Sequence, residues 1–173
     1  MSQTLQIGPF CTHQTISANL AALGVQPNDT ILLHSSLRKI GYVCGGAEAV
    51  ITALTATLGP NGTLTVPTHT SENSDPAHWQ APPVPKEWWQ PIRDNTPAYD
   101  ARTSRTRGMG VIAETVRTWP GAMRSAHPQT SFAALGRNAE AITAEHAFDS
   151  MMGENSPLAR LEDLNAKVLL LGV

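Results

Sequence analysis

The sequence predicts a single layered α/β domain with mostly parallel short strands and one long proline- and tryptophan-rich loop. Three observations carry that prediction. A strand, helix, strand unit spans Thr30 to Val66, and parallel strands need a crossover of this kind. A strongly apolar strand candidate, KVLLLGV, runs from Lys167 to Val173. The length of 173 residues suits one compact core, so residues 1–173 are read as one domain.

The elements follow in order. Thr15 to Leu23 reads as a helix, because Ile16, Leu20 and Leu23 share a face and Gly24 is a natural stop. Thr30 to His34 is a buried strand after the Pro27-Asn28-Asp29 turn. Gly41 to Gly46 is a turn. Ala47 to Leu58 is a helix with Val50, Ile51, Leu54 and Leu58 on one face, ended by Gly59-Pro60. Asn61-Gly62 turns the chain into a strand at Thr63 to Val66. From Pro67 to Thr106 there are seven prolines and three of the four tryptophans, Trp79, Trp88 and Trp89. The prolines predict an absence of regular helix and sheet, and the tryptophans predict order through packing. A long ordered excursion of this kind reads as a functional loop. Met109 to Arg117 is a helix. Met123 to Ala126 and Ser131 to Leu135 are short strands, and Ala139 to Ala147 is a helix. Asn155-Ser156 reads as the cap of a helix with Pro157 at its first position, running to Leu164.

Composition excludes several classes. Charged residues make up 15% of the chain, against about 25% in typical domains, and hydrophobic residues 41%, so a charge-rich disordered chain is excluded. No apolar run reaches the roughly 18 residues that span a bilayer. Met1 to Phe10 lacks the pattern of a secretory leader. With no signal for a membrane and only Cys11 and Cys44, the expected setting is the cytoplasm. The net charge of -2 argues against a nucleic-acid partner. That total hides a partition. From Arg102 to Arg137 six arginines face one acid, Glu114, for a net +5. From Asn138 to Val173 six acids outnumber two bases. A basic middle suits a polyanion and an acidic remainder tolerates a cation.

Four segments are candidates for chemistry. His34-Ser35-Ser36-Leu37-Arg38-Lys39 directly follows a strand, where backbone N–H groups and hydroxyls hold a carbonyl or a phosphate. Arg102 to Gly110, RTSRTRGMG, opens a helix with glycines for close approach and arginine forks for phosphate. It has neither GxxxxGK[ST] nor GxGxxG spacing. Ser125 to Phe132 contains His127, a group suited to proton transfer. His69 to Asp75, with Trp79, combines carboxylates and an aromatic, which suits an ammonium-bearing ligand. HExxH, HxH and GxSxG are absent, so neither a zincin-type metal site nor a Ser/His/Asp hydrolase is predicted.

Taken together, LLHSSLRKIG, GPNGTLTVPTHTSENSDPAHW, PPVPKEWW, RTRGMGVIAETVRTWPGAMRSAHPQTSFAALG and GENSPLARLEDLNAKVLLLGV resemble the aminoglycoside 3-N-acetyltransferase family of antibiotic-resistance enzymes. The resemblance covers nearly the whole chain from His34 onward. It implies an acyltransferase that moves acetyl from acetyl-CoA, its co-substrate, to an amino group of an aminoglycoside, with no metal. The implied fold differs from that of the common small acetyltransferases. Acetyl-CoA is placed against Ser35, Ser36 and Leu37, against Arg107, Gly108, Met109 and Gly110, and against Ser131 and Phe132. Glu72, Asp75 and Trp79 are placed on the aminoglycoside side. Family members continue past the LLLGV strand into a segment resembling NTSLHLAE, whose His and Glu are the implied base. That segment is absent before Val173, so a C-terminally shortened chain is expected, and His34 and His127 are the candidate bases within it. Cys44, among glycines with no adjacent base, is read as structural. Two alternatives stand beside this reading: a catalytically incomplete remnant that binds CoA or drug, and a metal-dependent amidohydrolase using His34, His69 and His127.

Overall fold

The computed structural model describes residues 8–173. The reading of residues 1–7 as free of a leader therefore lies outside the described residues. The chain enters through β1 (Phe10–Cys11) and α1 (His13–Ala22). Helix α1 starts on a capping box in which Thr12 and Thr15 bond each other's backbone N–H, and it buries Ile16 and Leu20. Then come β2 (Thr30–Ser35), a single helical turn α2 (Leu37–Ile40), β3 (Tyr42–Val43), α3 (Gly46–Leu58) and β4 (Thr63–Pro67). Strand β3 lies inside the predicted glycine turn and pairs in parallel with β1, Phe10 opposite Tyr42.

After β4 the chain makes its long excursion, which contains a helix, α4 (Lys86–Asn95). This corrects the expectation that proline would keep the segment irregular. Pro85 stands at the N-cap, and Pro91 lies inside the helix at the cost of one internal hydrogen bond. Local contacts offset that loss: Gln90 bonds Asp94 at 2.8 Å, Lys86 sits over the Trp89 ring, and Asn95 returns to the Pro91 carbonyl at 2.7 Å. Trp79 and Trp89 find partners through their indole N–H groups, Ser74 Oγ and the Val84 carbonyl, whereas Trp88 is exposed.

The remaining elements are α5 (Gly110–Arg117), β5 (Met123–Arg124), β6 (Phe132–Gly136), α6 (Ala139–Thr143), α7 (Pro157–Asp163) and β7 (Lys167–Leu171). Helix α6 ends four residues before the predicted Ala147. Ala144 is extended and Glu145 takes a left-handed φ of 48°, which turns His146 into the interior. Ser156 caps α7 as its spacing predicts, accepting from Leu158 N–H.

Five strands form one sheet in the order β5-β6-β4-β2-β7. Strands β4, β2 and β7 are parallel; β6 runs antiparallel to them, and β5, antiparallel to β6, points the same way as the parallel three. One face packs Ile31, Leu33, Leu64, Val66 and Ala133 against residues of α1, α3 and α5 such as Leu20, Leu54 and Val116. The other packs Leu32, Phe132 and Ala134 against Ile142 of α6 and Leu161 of α7. Alternate residues of one strand therefore feed two cores, which is the signature of a central sheet covered on both faces. Among the described residues no helix is long and apolar enough to cross a membrane.

Candidate functional site

Parallel strands β2, β4 and β7 deliver their carboxyl ends to one side of the sheet, the usual ligand side of an open α/β layer. His34, Ser35 and Ser36 leave β2 there, Thr68 and His69 leave β4, and Gly172 leaves β7. Ser36 N–H donates to the Leu171 carbonyl at 3.0 Å, locking the β2 exit to the β7 exit. Gly172 has φ +70°, and a Cβ there would lie 2.8 Å from the Ser36 carbonyl oxygen. Only glycine lets β7 pass this close beneath the α2 turn. Gly110, which opens α5, approaches the same turn: a Cβ on it would sit 3.7 Å from the Ser35 carbonyl. So two segments far apart in sequence, Ser35-Ser36-Leu37 and Met109-Gly110, meet at this end of the sheet.

The basic segment is tied down from three directions. Arg107 N–H donates to the His69 carbonyl at 2.8 Å. Thr106 N–H donates to Glu114 Oε2 at 3.0 Å. Arg117 Nη1 reaches the Arg102 carbonyl at 2.6 Å. Glu114 and Arg117 are themselves a two-pronged pair, at 2.7 and 3.0 Å. Burial alone would raise the Glu114 pKa; the Arg117 fork and the Thr106 bonds overcome it and hold the carboxyl at about 2.

Arg124 supports the segment from below. Its Nε donates to Thr68 Oγ1 and Ser131 Oγ, its Nη1 to the Ala101 and Ser104 carbonyls, and its Nη2 to the Thr68 carbonyl. The Tyr99 ring lies 5.1 Å from the guanidinium carbon, and the Tyr99 hydroxyl donates to the Ser125 carbonyl. Among the described residues no carboxylate lies within 4.0 Å of Arg124.

Ser131 and Phe132 stand inside this wall, not on its surface. Ser131 is fully buried and its hydroxyl serves Thr68 and Arg124. Phe132 is buried with its ring edge-on to His69 at 5.5 Å. Their placement supports the rim without presenting a polar atom to it.

The candidate histidines divide sharply. His127 is 2% exposed. Its Nδ1 accepts from Gln129 N–H and Thr130 N–H, both at 3.1 Å, so Nε2 carries the proton and donates to the Phe148 carbonyl at 3.3 Å. Its lone pair is taken, and it organises a loop. His146 packs beside it at 4.7 Å. There Nε2 donates to the Met151 carbonyl and Nδ1 accepts from Ser125. Burial, more than any other influence, pushes the His146 pKa down. His34, by contrast, is exposed at the strand ends. His69 sits beside it, half-buried, with Nε2 unpartnered. Burial lowers the His69 pKa, and His34 and His127 lower it further. The amidohydrolase alternative needs three ligands together, and among the described residues no set of three His, Cys, Asp or Glu is placed to hold a metal ion.

The acidic loop faces the basic segment. Glu72 and Arg107 form an ion pair at 2.9 Å. They stand on one wall of a cleft of about 380 Å³, with Ser71, Ser74, Trp79 and Gln80 also lining it. Glu72 also borders a second cleft of about 340 Å³ with Asn73, Thr103 and Arg105. Asp75 turns away to Arg93 at 2.7 Å and caps Ala77 N–H. The Arg93 bond first, then the Ala77 N–H, lowers its pKa. Glu72, Asp75 and Trp79 are thus neighbours, but only Glu72 meets the basic side.

Arg124, Glu114, Tyr99 and His146 were not singled out by sequence reasoning. A signal existed for Glu114, the lone acid in a run of arginines and three residues before one of them. Arg124 and His146 carry no such local mark.

A sequence model of the family described as aminoglycoside 3-N-acetyltransferase matches residues 32–173. The chain is 46% identical over 162 residues to the SPbeta prophage-derived aminoglycoside N(3')-acetyltransferase-like protein YokD of Bacillus subtilis (strain 168), covering 93% of this chain and 60% of that protein. It is 42% identical over 166 residues to aminoglycoside N(3)-acetyltransferase VII of Streptomyces paromomycinus, covering 95% and 56%. The crystal structure of Bacillus subtilis YokD superposes with a TM-score of 0.90 at 45% identity, covering 92% of this chain and 64% of that one. The structure of AAC-IIIb with CoASH matches at 0.81 and 38% identity, covering 94% and 59%. AAC-VIa bound to sisomicin matches at 0.81 and 31%, also covering 94% and 59%. The chain therefore spans somewhat more than half the length of the curated relatives it matches. It belongs to the aminoglycoside 3-N-acetyltransferase family.

Proposed function

We propose that this chain carries the CoA-facing part of an enzyme that transfers acetyl from acetyl-CoA to an amino group of an aminoglycoside. The observation that carries the reading is the meeting of Ser35-Ser36-Leu37 with the Arg107-to-Gly110 segment at the carboxyl ends of parallel strands, with Glu72 paired to Arg107 on the wall of the cleft. In this reading Arg107 and Gly108 take the anionic part of CoA, and the β2 exit faces the thioester. Glu72 takes an ammonium of the antibiotic, with Trp79 forming apolar wall. The solved AAC-IIIb with CoASH and AAC-VIa with sisomicin support both ligand classes for the family. In this reading the need for acetyl-CoA supports a cytoplasmic setting.

The chemistry needs a base, because an ammonium has no free electron pair. Once deprotonated, the amine attacks the thioester carbonyl carbon. A tetrahedral oxyanion forms, the carbon–sulfur bond breaks, and CoA leaves with the proton as its thiol. No acetyl-enzyme is needed, which leaves Cys44 without a catalytic part. His127 is occupied as a loop organiser, so of the two histidines considered within the chain His34 is the one with access. The resemblance assigns the base instead to the NTSLHLAE-like segment that family members carry after the last strand.

The test is release of CoA thiol from acetyl-CoA with a 2-deoxystreptamine aminoglycoside. Drug-dependent release by the 173-residue chain, abolished in His34→Ala, assigns the base to His34. Release only by a chain extended with the relatives' C-terminal segment assigns it there. No CoA binding by either chain sinks the reading. The second reading, a piece that binds ligand without transfer, is favoured by the closed hydrogen-bonding of His127, and binding without release would establish it.

A further inference from the structure

Arg124 is held by carbonyl and hydroxyl oxygens, and among the described residues no carboxylate pairs with it. Its donors reach Ser131 beside it and two more distant stretches of chain: Thr68 at the β4 exit, and Ala101 and Ser104 in the turn that leads to Arg105 and Arg107. That turn is closed by Asp100, whose Oδ1 accepts from Arg102 N–H at 2.8 Å and Thr103 N–H at 3.0 Å. Three residues beyond Ser104, Arg107 N–H bonds the His69 carbonyl, one residue after Thr68. The turn and the strand exit are therefore joined twice, by the Arg124 fork and by this backbone bond. A carboxylate partner would have neutralised the guanidinium; carbonyls leave its charge uncancelled beneath an anion-facing loop.

We propose that Arg124 is the positioning residue of the basic segment: it fixes the 101–107 turn on the β4 exit so that Arg107 and Gly108 face an anionic, phosphate-bearing ligand, without itself touching that ligand. The inference rests on the reading of this segment as the CoA side. Lysine keeps the charge at this site but replaces a planar five-donor fork with a single ammonium, so it cannot hold Thr68 and Ser104 together.

The test is Arg124→Lys, with calorimetric binding of CoA and of an aminoglycoside to the 173-residue chain, and amide hydrogen exchange. Wild-type binding of CoA checks the underlying reading by itself. The expected result is a loss of about ten-fold or more in CoA affinity, with aminoglycoside affinity within about two-fold. Exchange at the Thr106 and Arg107 amides should rise while β4 and β2 amides stay protected. Unchanged CoA affinity overturns the proposal. Equal losses for both ligands with a general rise in exchange also overturn it, because that outcome marks a purely structural arginine. If the wild type binds no CoA, the ligand reading fails and the positioning role falls with it. Arg124→Gln, which keeps a planar donor and loses the charge, separates the fork from the field: a weaker loss than in Arg124→Lys assigns the effect to geometry.

Discussion

Two sets of arginines share one stretch of chain and have opposite fates. Arg102, Arg105 and Arg107 keep 90%, 84% and 68% of their side-chain surface in solvent. Arg117 keeps 5%, and Arg124 is wrapped by backbone oxygens. The outer three leave the fold's packing almost untouched, whereas the inner two hold the turn on which the outer three are mounted. A net +5 read from sequence is thus two quantities added together, a surface field and an internal scaffold. Under the CoA reading only the first meets a ligand. Long-range attraction of an anion follows the outer set, and the shape it encounters follows the inner one.

The comparison breaks most visibly at Glu114, the partner of the inner set. Glu114→Gln removes the charge that pairs Arg117, and a nearly buried guanidinium is left without its counter-ion. We expect a loss of about 3 kcal/mol in unfolding free energy, read by urea denaturation. The pH dependence has a definite sign. The Glu114 carboxyl is depressed in the folded state to about 2 from an ordinary 4.5. Its stabilisation is full above the ordinary value and disappears as pH falls from there toward about 2. His69 and His146 are shifted down mainly by burial, so the unfolded chain binds their protons more readily. Their contribution is present above the ordinary histidine range and is lost as pH falls below it. The wild type should lose stability in two stages on acidification, and in Glu114→Gln the lower stage should shrink to what Asp75 and Asp100, also held low, contribute. A single stage shared by both proteins would remove Glu114 from the account.

How far the sequence reaches is visible in the same residues. The parallel core was legible because Thr30–Ser35, Gly46–Leu58 and Thr63–Pro67 each match a period and a stop signal. Helix α4 was not, because prolines at 85 and 91 argue against helix locally while i,i+4 contacts and the Asn95 and Thr96 side-chain bonds to carbonyls of its last turns decide for it. The site divides the same way. Ser35, Ser36, Arg107 and Gly110 stand out through glycine, strand-end and charge signals. Arg124 does not, since its role depends on Thr68 and Ser104, 56 and 20 residues away. His127 is a candidate base by residue type alone; its lone pair is taken by the backbone of the turn that follows.

The outer set is tested by Arg107→Ala. Its side chain contributes one ion pair with Glu72 and little packing, so stability should change by less than about 0.5 kcal/mol. Under the CoA reading the affinity for CoA should fall by about ten-fold, as for loss of a charge-assisted hydrogen bond. The remaining affinity should depend less on salt, because one of the screened charges is gone. Titrations at two ionic strengths check both points. An unchanged affinity moves the anion site away from this segment.

The smallest effect sharpens the comparison most. Glu72 and Arg107 occupy each other when no ligand is bound, and either ligand must break that 2.9 Å pair to use its residue. The first ligand to bind bears the cost of breaking it and the second does not. The two ligands should therefore favour each other, and by linkage the factor is the same in both directions. An exposed pair contributes about 0.2–1 kcal/mol, which sets the factor at about 1.4 to 5. Glu72→Gln frees Arg107 in advance. Aminoglycoside affinity should fall, CoA affinity should rise by that same small factor, and the mutual enhancement should vanish. Binding of each ligand to wild type and variant, with and without the other, measures all four terms. If Glu72→Gln weakens CoA as well, Glu72 orients Arg107 for the anion instead of competing for it, and the two sides of the cleft act as one rigid wall.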